Sequence, residues 1–176
     1  MVICQVSSKA EQDAVRSAAE HNKTRVAYEA DNGDWRIMQL HPGDMRGAYL
    51  EADWDARSDV TGNWMPAGGM DWQGTPPALA SQITAAELQS PEPIAMAEHW
   101  GRICSTDPKT DGDTATLTLD NAVLRFVPEA DNRGPGLSGI DLASPDPDLI
   151  RANARERGCL NANGEIEICG TRITLT

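Results

Sequence analysis

The stretch VICQVSSKAEQDAVRSAAEHN, Val2–Asn22, fixes the reading of the fold. Val2–Val6 forms a short apolar strand and two serines turn the chain. Ala14, Val15, Ala18 and Ala19 then recur at the spacing of one helix face. Ser8 stands where an N-cap belongs, because its hydroxyl can accept from an unpaired N–H of the first turn. The same shape returns twice, as ITAAELQSPEPIAMAEHWGRIC (Ile83–Cys104) and LSGIDLASPDPDLIRANARERG (Leu137–Gly158). Ser90 and Ser144 take the place of Ser8 in these copies. Pro91 and Pro145 follow them and suit a first helical position, whose N–H would be unpaired in any residue. Ile94, Ala97, Trp100, Gly101 and Cys104 form the stripe of the second helix. Leu149, Ile150, Ala152 and Asn153 form that of the third, and Gly158 offers its left-handed stop.

Strand-patterned runs follow each helix. They are Thr24–Glu29, Trp35–His41 and Ala48–Asp53, then Thr114–Leu119 and Val123–Val127, then Glu165–Cys169 and Arg172–Leu175. Asp120–Asn121 and Gly170 supply the turns within the last two groups. The reading is an α+β protein of repeated βαβββ-type units. Residues 1–55 form the first unit and 81–176 two further βαββ units. Between them, 56–80 is a Trp-, Gly- and Pro-rich linker, expected to be ordered, with Trp64 and Trp72 packed on the sheets and a boundary near Pro76–Pro77.

Charge narrows the function classes. Fifteen Lys and Arg against 27 Asp and Glu leave a net charge of −12. That excess repels phosphate backbones and anionic lipid, so neither nucleic acid nor a membrane is an expected partner. No apolar run approaches the ~20 residues of a membrane span, and the start lacks the features of a secretory signal. A cytoplasmic location is expected. Cys4, Cys104, Cys159 and Cys169 form no CxxC pair, so a zinc ribbon or thioredoxin-like centre is unsupported, and Cys4 and Cys104 read as small buried hydrophobes. Cys159 and Cys169 flank a short strand, and a bridge between them would need an oxidising compartment. Other patterns fail on spacing. TDPKTDGDT puts Lys109 and Thr118 where a calcium loop counted from Asp107 needs ligands, NRGPGLSG lacks the Lys-Ser/Thr of a phosphate loop, and there is no GxSxG elbow.

The stretch MQLHPGDMRGAYLEADW, Met38–Trp54, resembles the strand–turn–strand of epimerase-like and glyoxalase-like members of the vicinal-oxygen-chelate superfamily. AELQSPEPIAMAEHW, LDNAVLRFVP, GLSGIDLASPD and EIEICGTRITL resemble the C-terminal part of larger glyoxalase-like and bleomycin-resistance-like proteins. The resemblance implies curved mixed sheets with helices on the outer face. It also implies a site between two units, where a first strand and a fourth strand of each supply a ligand to a divalent metal with open positions for substrate oxygens. Larger relatives carry another unit before the one matching Val2–Val6. The first unit is therefore expected to pair with its copy in a second subunit, giving a homodimer, or else the chain is a fragment of a longer one.

Carried onto this chain, the motif's fourth-strand glutamate is Glu51, a candidate metal ligand or base. Gln5 is the one residue of its first strand able to offer an oxygen, and Glu87 holds the corresponding reach in the second unit. Asp141 takes a similar place in the third. No pair of histidines lies on these strands, which weighs against a tightly held transition metal; a divalent metal is possible but not favoured. His41, before Pro42, is either an auxiliary acid–base group or a turn cap bonded to Asp44 or the backbone. His21 and His99 read as surface or helix-packing residues, and Trp35, Trp54 and Trp64 as core or pocket wall. Two functions follow from the resemblance. One is a lyase or isomerase acting on a small oxygenated metabolite. The other is a non-catalytic small-molecule binder of the drug-sequestering kind, favoured by the missing imidazoles. A protein-interaction subunit would instead show a large hydrophobic face at Val2–Val6.

Overall fold

A computed structural model describes residues 1–57, 64 and 79–176. Trp72, the Pro76–Pro77 boundary and most of the 56–80 connection lie outside the described residues; Trp64 is half-buried. In chain order the elements are β1 (Val2–Gln5), α1 (Lys9–His21), β2 (Val26–Asp31), β3 (Trp35–Leu40), β4 (Leu50–Asp55), β5 (Gln82–Ser90), α2 (Pro93–Cys104), β6 (Lys109–Asp111), β7 (Thr114–Thr118), β8 (Val123–Pro128), β9 (Gly136–Ala143), α3 (Pro147–Glu156), β10 (Ile166–Ile168) and β11 (Thr171–Leu175). They group into two compact units. Unit 1 is Met1–Gly74 with Glu98–Asp107; unit 2 is Thr75–Ala97 with Pro108–Thr176.

Unit 1 holds a four-stranded sheet in the order β1-β4-β3-β2, with β1 parallel to β4 and the other pairs antiparallel. Alternation divides it into two faces. Met38, Leu40, Leu50 and Ala52 are buried on the face that α1 covers. On that side Gln12 Nε2 donates to the Ala52 carbonyl at 2.7 Å, and Lys9 Nζ sits 4.5 Å from the Trp54 ring centre. Arg36 pairs with Asp13, and Arg16 with Glu29, so ion pairs seam the helix to the sheet edge. Residues in register one step away, Ile3, Gln5, Gln39, Glu51 and Asp53, point to the opposite face.

Unit 2 holds a seven-stranded sheet, β10-β11-β9-β5-β8-β7-β6. β5 lies parallel to β8, β9 parallel to β11, and β5 antiparallel to β9. One plan therefore occurs three times: a strand, a helix, then strands that bring the last beside the first in parallel. The second and third modules share one continuous sheet through their first strands. Leu88, Ala115, Leu117, Leu124 and Phe126 are buried in this unit. β6 lies outside the strand-patterned runs of the sequence, since all three of its residues are exposed and none is apolar.

The serine positions need correction. Ser8 caps α1, accepting from Glu11 N at 3.1 Å. Ser90 and Ser144 instead close turns, accepting from Glu92 N and Asp146 N, and the helices start later. The second prolines decide this. A residue before proline is forced out of the helical region, so Glu92 and Asp146 end the turns and Pro93 and Pro147 begin the helices. Asp146, whose side chain accepts from Leu149 N, is the true N-cap of α3. Gly158, at φ 67°, is the left-handed stop.

Residues 98–107 group by compactness with unit 1. Trp100, fully buried, donates Nε1–H to the Met45 carbonyl at 2.7 Å, and Arg102 Nε donates to Asn22 Oδ1 at 3.0 Å. His99 is buried, and its Nε2 lies 3.2 Å from Thr24 Oγ1. Burial pushes its pKa down, so it packs as a neutral ring. All four cysteines are free. Burial pushes the Cys4 thiol up to about 11 and that of Cys104 up to about 12, which keeps both protonated.

Candidate functional site

The face of the unit 1 sheet opposite α1 collects amides and acids. β1 and β4 run in register with Gln5 opposite Asp53, and β3 places Gln39 opposite Glu51. Glu51 is 5% exposed and Asp53 is wholly buried. Gln39 Nε2 donates to Glu51 Oε2 at 2.5 Å. Asp53 has no side-chain donor; the Met38 backbone N–H and the Glu51 carboxyl act on it, short of ordinary hydrogen-bond geometry. Both of its carboxylate oxygens, and Nε2 of Gln5, are buried without a hydrogen-bond partner. Burial first, and then the Glu51 carboxylate two residues along the strand, push the Asp53 pKa up to about 8. At neutral pH the pair holds a proton.

The sequence candidates separate accordingly. Gln5 and Glu51 meet on this face, joined by Asp53, which sequence reasoning missed. Its signal is present in LEADWD, where alternation puts Glu51, Asp53 and Asp55 on one side of a strand. Only register shows that the middle one is stripped of partners. His41 lies beyond the end of β3, in the turn that follows. Its Nδ1 accepts from Gly43 N at 3.2 Å and lies 3.4 Å from Arg25 Nη2, an arrangement that caps the turn. Arg25 also grips Asp44 through two nitrogens and holds that carboxyl well below the usual range.

Glu87 belongs to unit 2 and is fully engaged. Arg172 Nη2 reaches its Oε1 at 2.7 Å, Ser138 Oγ the same oxygen at 3.0 Å, and Arg125 Nε its Oε2 at 3.1 Å. Asp141 takes a bidentate grip from Arg125 at 2.8 and 2.9 Å. A cavity of about 330 Å³ adjoins this cluster and is lined also by Arg151, Ile140 and Ile173.

Among the described residues, no three His, Cys, Asp or Glu side chains converge as a complete metal site. The donor sets of the two units still differ in fit. In unit 1 the Asp53 and Glu51 carboxylates and the Gln5 amide oxygen are hard oxygen donors, a set that would fit part of the coordination of a hard cation. In unit 2 every carboxylate oxygen of Glu87 and Asp141 already faces a guanidinium, so that set does not fit.

No helix among the described residues is long and apolar enough to cross a membrane. No family model and no curated protein matches the chain. Solved structures do match. A Mn(II)-bound glyoxalase from Novosphingobium aromaticivorans superimposes with a TM-score of 0.64 at 16% identity, over 98% of this chain and 61% of that one. A 2,2',3-trihydroxybiphenyl 1,2-dioxygenase from Sphingomonas wittichii gives 0.62 at 10% identity, over 99% and 69%. BphC, a halotolerant catechol dioxygenase, gives 0.57 at 13% identity, over 98% and 65%. The chain thus spans about three fifths of the glyoxalase's length. With its first-beside-last strand plan used three times, it has the fold of the vicinal-oxygen-chelate superfamily.

Proposed function

We propose that the chain is a glyoxalase-like protein that handles a small oxygenated metabolite as a lyase or isomerase. Its site is the face of the unit 1 sheet opposite α1. There the carboxylates of Glu51 and Asp53 and the amide oxygen of Gln5 hold a hard divalent cation, Mg2+ or Mn2+. One observation carries this reading: Asp53 is wholly buried with neither oxygen in a hydrogen bond of ordinary geometry, beside a second buried acid, Glu51. Burying polar atoms without partners is costly, and such groups persist where a ligand completes them. Oxygen-only donors suit Mg2+ or Mn2+ rather than softer ions. The glyoxalase neighbour is itself Mn(II)-bound, which supports the same ion class.

When bound, the ion polarises a substrate oxygen as a Lewis acid. The chain's own residues do the rest. Gln39 fixes the Glu51 carboxylate. Asp53 is held protonated in the metal-free site by burial and by its neighbour, so it would release that proton as the cation binds, and binding should tighten as pH rises. Three donors fall short of the ~6 oxygens a hard cation takes. Ligand and water oxygens supply some of the remainder, and a second copy docked through β1 supplies the others. β1 is an edge strand with Ile3 exposed, and β5 with β9 exemplifies the antiparallel first-strand pairing such an edge can make.

Titration with Mn2+, read by the loss of free-ion EPR signal, tests the site. The wild-type chain is expected to bind saturably, and Asp53→Asn and Glu51→Gln to lose about tenfold or more in affinity. Absence of binding in the wild type, or unchanged binding in both variants, overturns the proposal.

A further inference from the structure

In unit 2 the four central strands each contribute one charged side chain to a single cluster. Arg172 comes from β11, Asp141 from β9, Glu87 from β5 and Arg125 from β8. Register brings them together: Glu87 lies opposite both Arg125 and Gly139, and Gly139 opposite Arg172. Signs alternate along Arg172–Glu87–Arg125–Asp141, and Arg172 Nη1 also lies 3.6 Å from Asp131 Oδ2. Each Glu87 oxygen faces a guanidinium, and both Asp141 oxygens face Arg125. Gly139 makes room for this. A Cβ there would lie 3.1 Å from the Arg172 carbonyl oxygen and 3.2 Å from Glu87 Oε1. The cluster is largely shielded, with side-chain exposures of 14% for Glu87 and 18% for Arg172.

These strands are the first and last of two paired modules, the place where the fold implies a metal. The residues present do not fit one. We infer that Arg125 and Arg172 stand in for the cation: unit 2 is a metal-free centre in which two guanidiniums hold Glu87 and Asp141 together and so join the two modules. A divalent ion entering there would have to displace both arginines while meeting their repulsion at close range. Glu87 fits the same picture, because the bonds from Arg172, Ser138 and Arg125 outweigh its burial and keep it ionised. The inference does not rest on unit 1 binding any ion.

Two measurements test it in an Asp53→Asn/Glu51→Gln background, which removes both carboxylates of the candidate site of unit 1. In the first, Mn2+ is titrated against isotope-labelled protein. The amides of Glu87, Gly139 and Asp141 are expected to keep full intensity, and selective broadening centred on them overturns the inference. In the second, Arg125 and Arg172 are both changed to alanine, freeing two carboxylates. This variant is expected to gain saturable Mn2+ binding and a Tm that rises by about 5 °C or more with added Mn2+. A variant folded only when Mn2+ is present gives the same answer. A folded variant indifferent to Mn2+ shows that the arginines replace no cation and overturns the inference. The first measurement needs no change to the cluster and decides the metal-free claim even if the double variant never folds.

Discussion

At Asp53 two unfavourable effects coincide, lost hydration and the charge of Glu51, and both favour the protonated acid. The linkage follows in sign. A carboxyl raised from ~3.9 in the unfolded chain contributes stability that is complete below that value and lost as pH rises through the folded value, about 8. In chelator, the urea midpoint of the wild type should fall between pH 6 and pH 9. Asp53→Asn keeps the shape without the charge and should stay level; a variant that falls in parallel contradicts the assignment. Glu87 behaves in the opposite sense. Burial alone would raise it, but its three donors hold it below the ordinary value, so its stabilisation is lost as pH falls through that lowered pKa. Glu87→Gln should cost up to about 3 kcal/mol at pH 7, the low end for breaking a shielded ion pair, and less at pH 3. An equal cost at both pH values would contradict an ionised Glu87.

At the scale of elements, α2 shows how one helix can serve more than a single apolar stripe. Met96, Ala97, Trp100 and Ile103 are all fully buried. The sequence stripe includes Ala97 and Trp100, but periodicity says nothing of the hydrogen bond that ties the indole to the Met45 carbonyl. Trp100→Ala should lower stability by about 3–5 kcal/mol in equilibrium denaturation, since it removes a buried aromatic and orphans a carbonyl. Ser8→Ala should cost only about 1 kcal/mol, the worth of one cap. The three helices and most strands are legible in the sequence because their signals are local: periodicity, a cap, a proline. The helix starts after Ser90 and Ser144 are misread because two prolines compete, and the second governs. β6 carries no apolar signal at all. Glu51 is legible through its motif, whereas the isolation of Asp53 depends on which residues β1 and β3 bring opposite β4. The meeting of Arg125 and Arg172 on Glu87 is likewise a product of register, spread over three strands distant in sequence.

Over the whole molecule, one supersecondary plan is used for two ends. Unit 2 pairs two modules and neutralises their shared centre with arginine. Among the described residues, unit 1 holds one module, with β1 at the edge of its sheet and one buried acid, Asp53, outside any hydrogen bond of ordinary geometry. The proposed docking of a second copy at that edge predicts a dimer in sedimentation velocity that Ile3→Lys converts to monomer; a monomeric wild type at high concentration would contradict it. The ion class and its position are tested together by diffraction at the manganese edge, from crystals grown in MnCl2. The account predicts an anomalous peak within bonding distance of Glu51 and Asp53 oxygens and none beside Glu87. A peak at Glu87, or an Asp53 carboxylate still bare at saturating Mn2+, would contradict it.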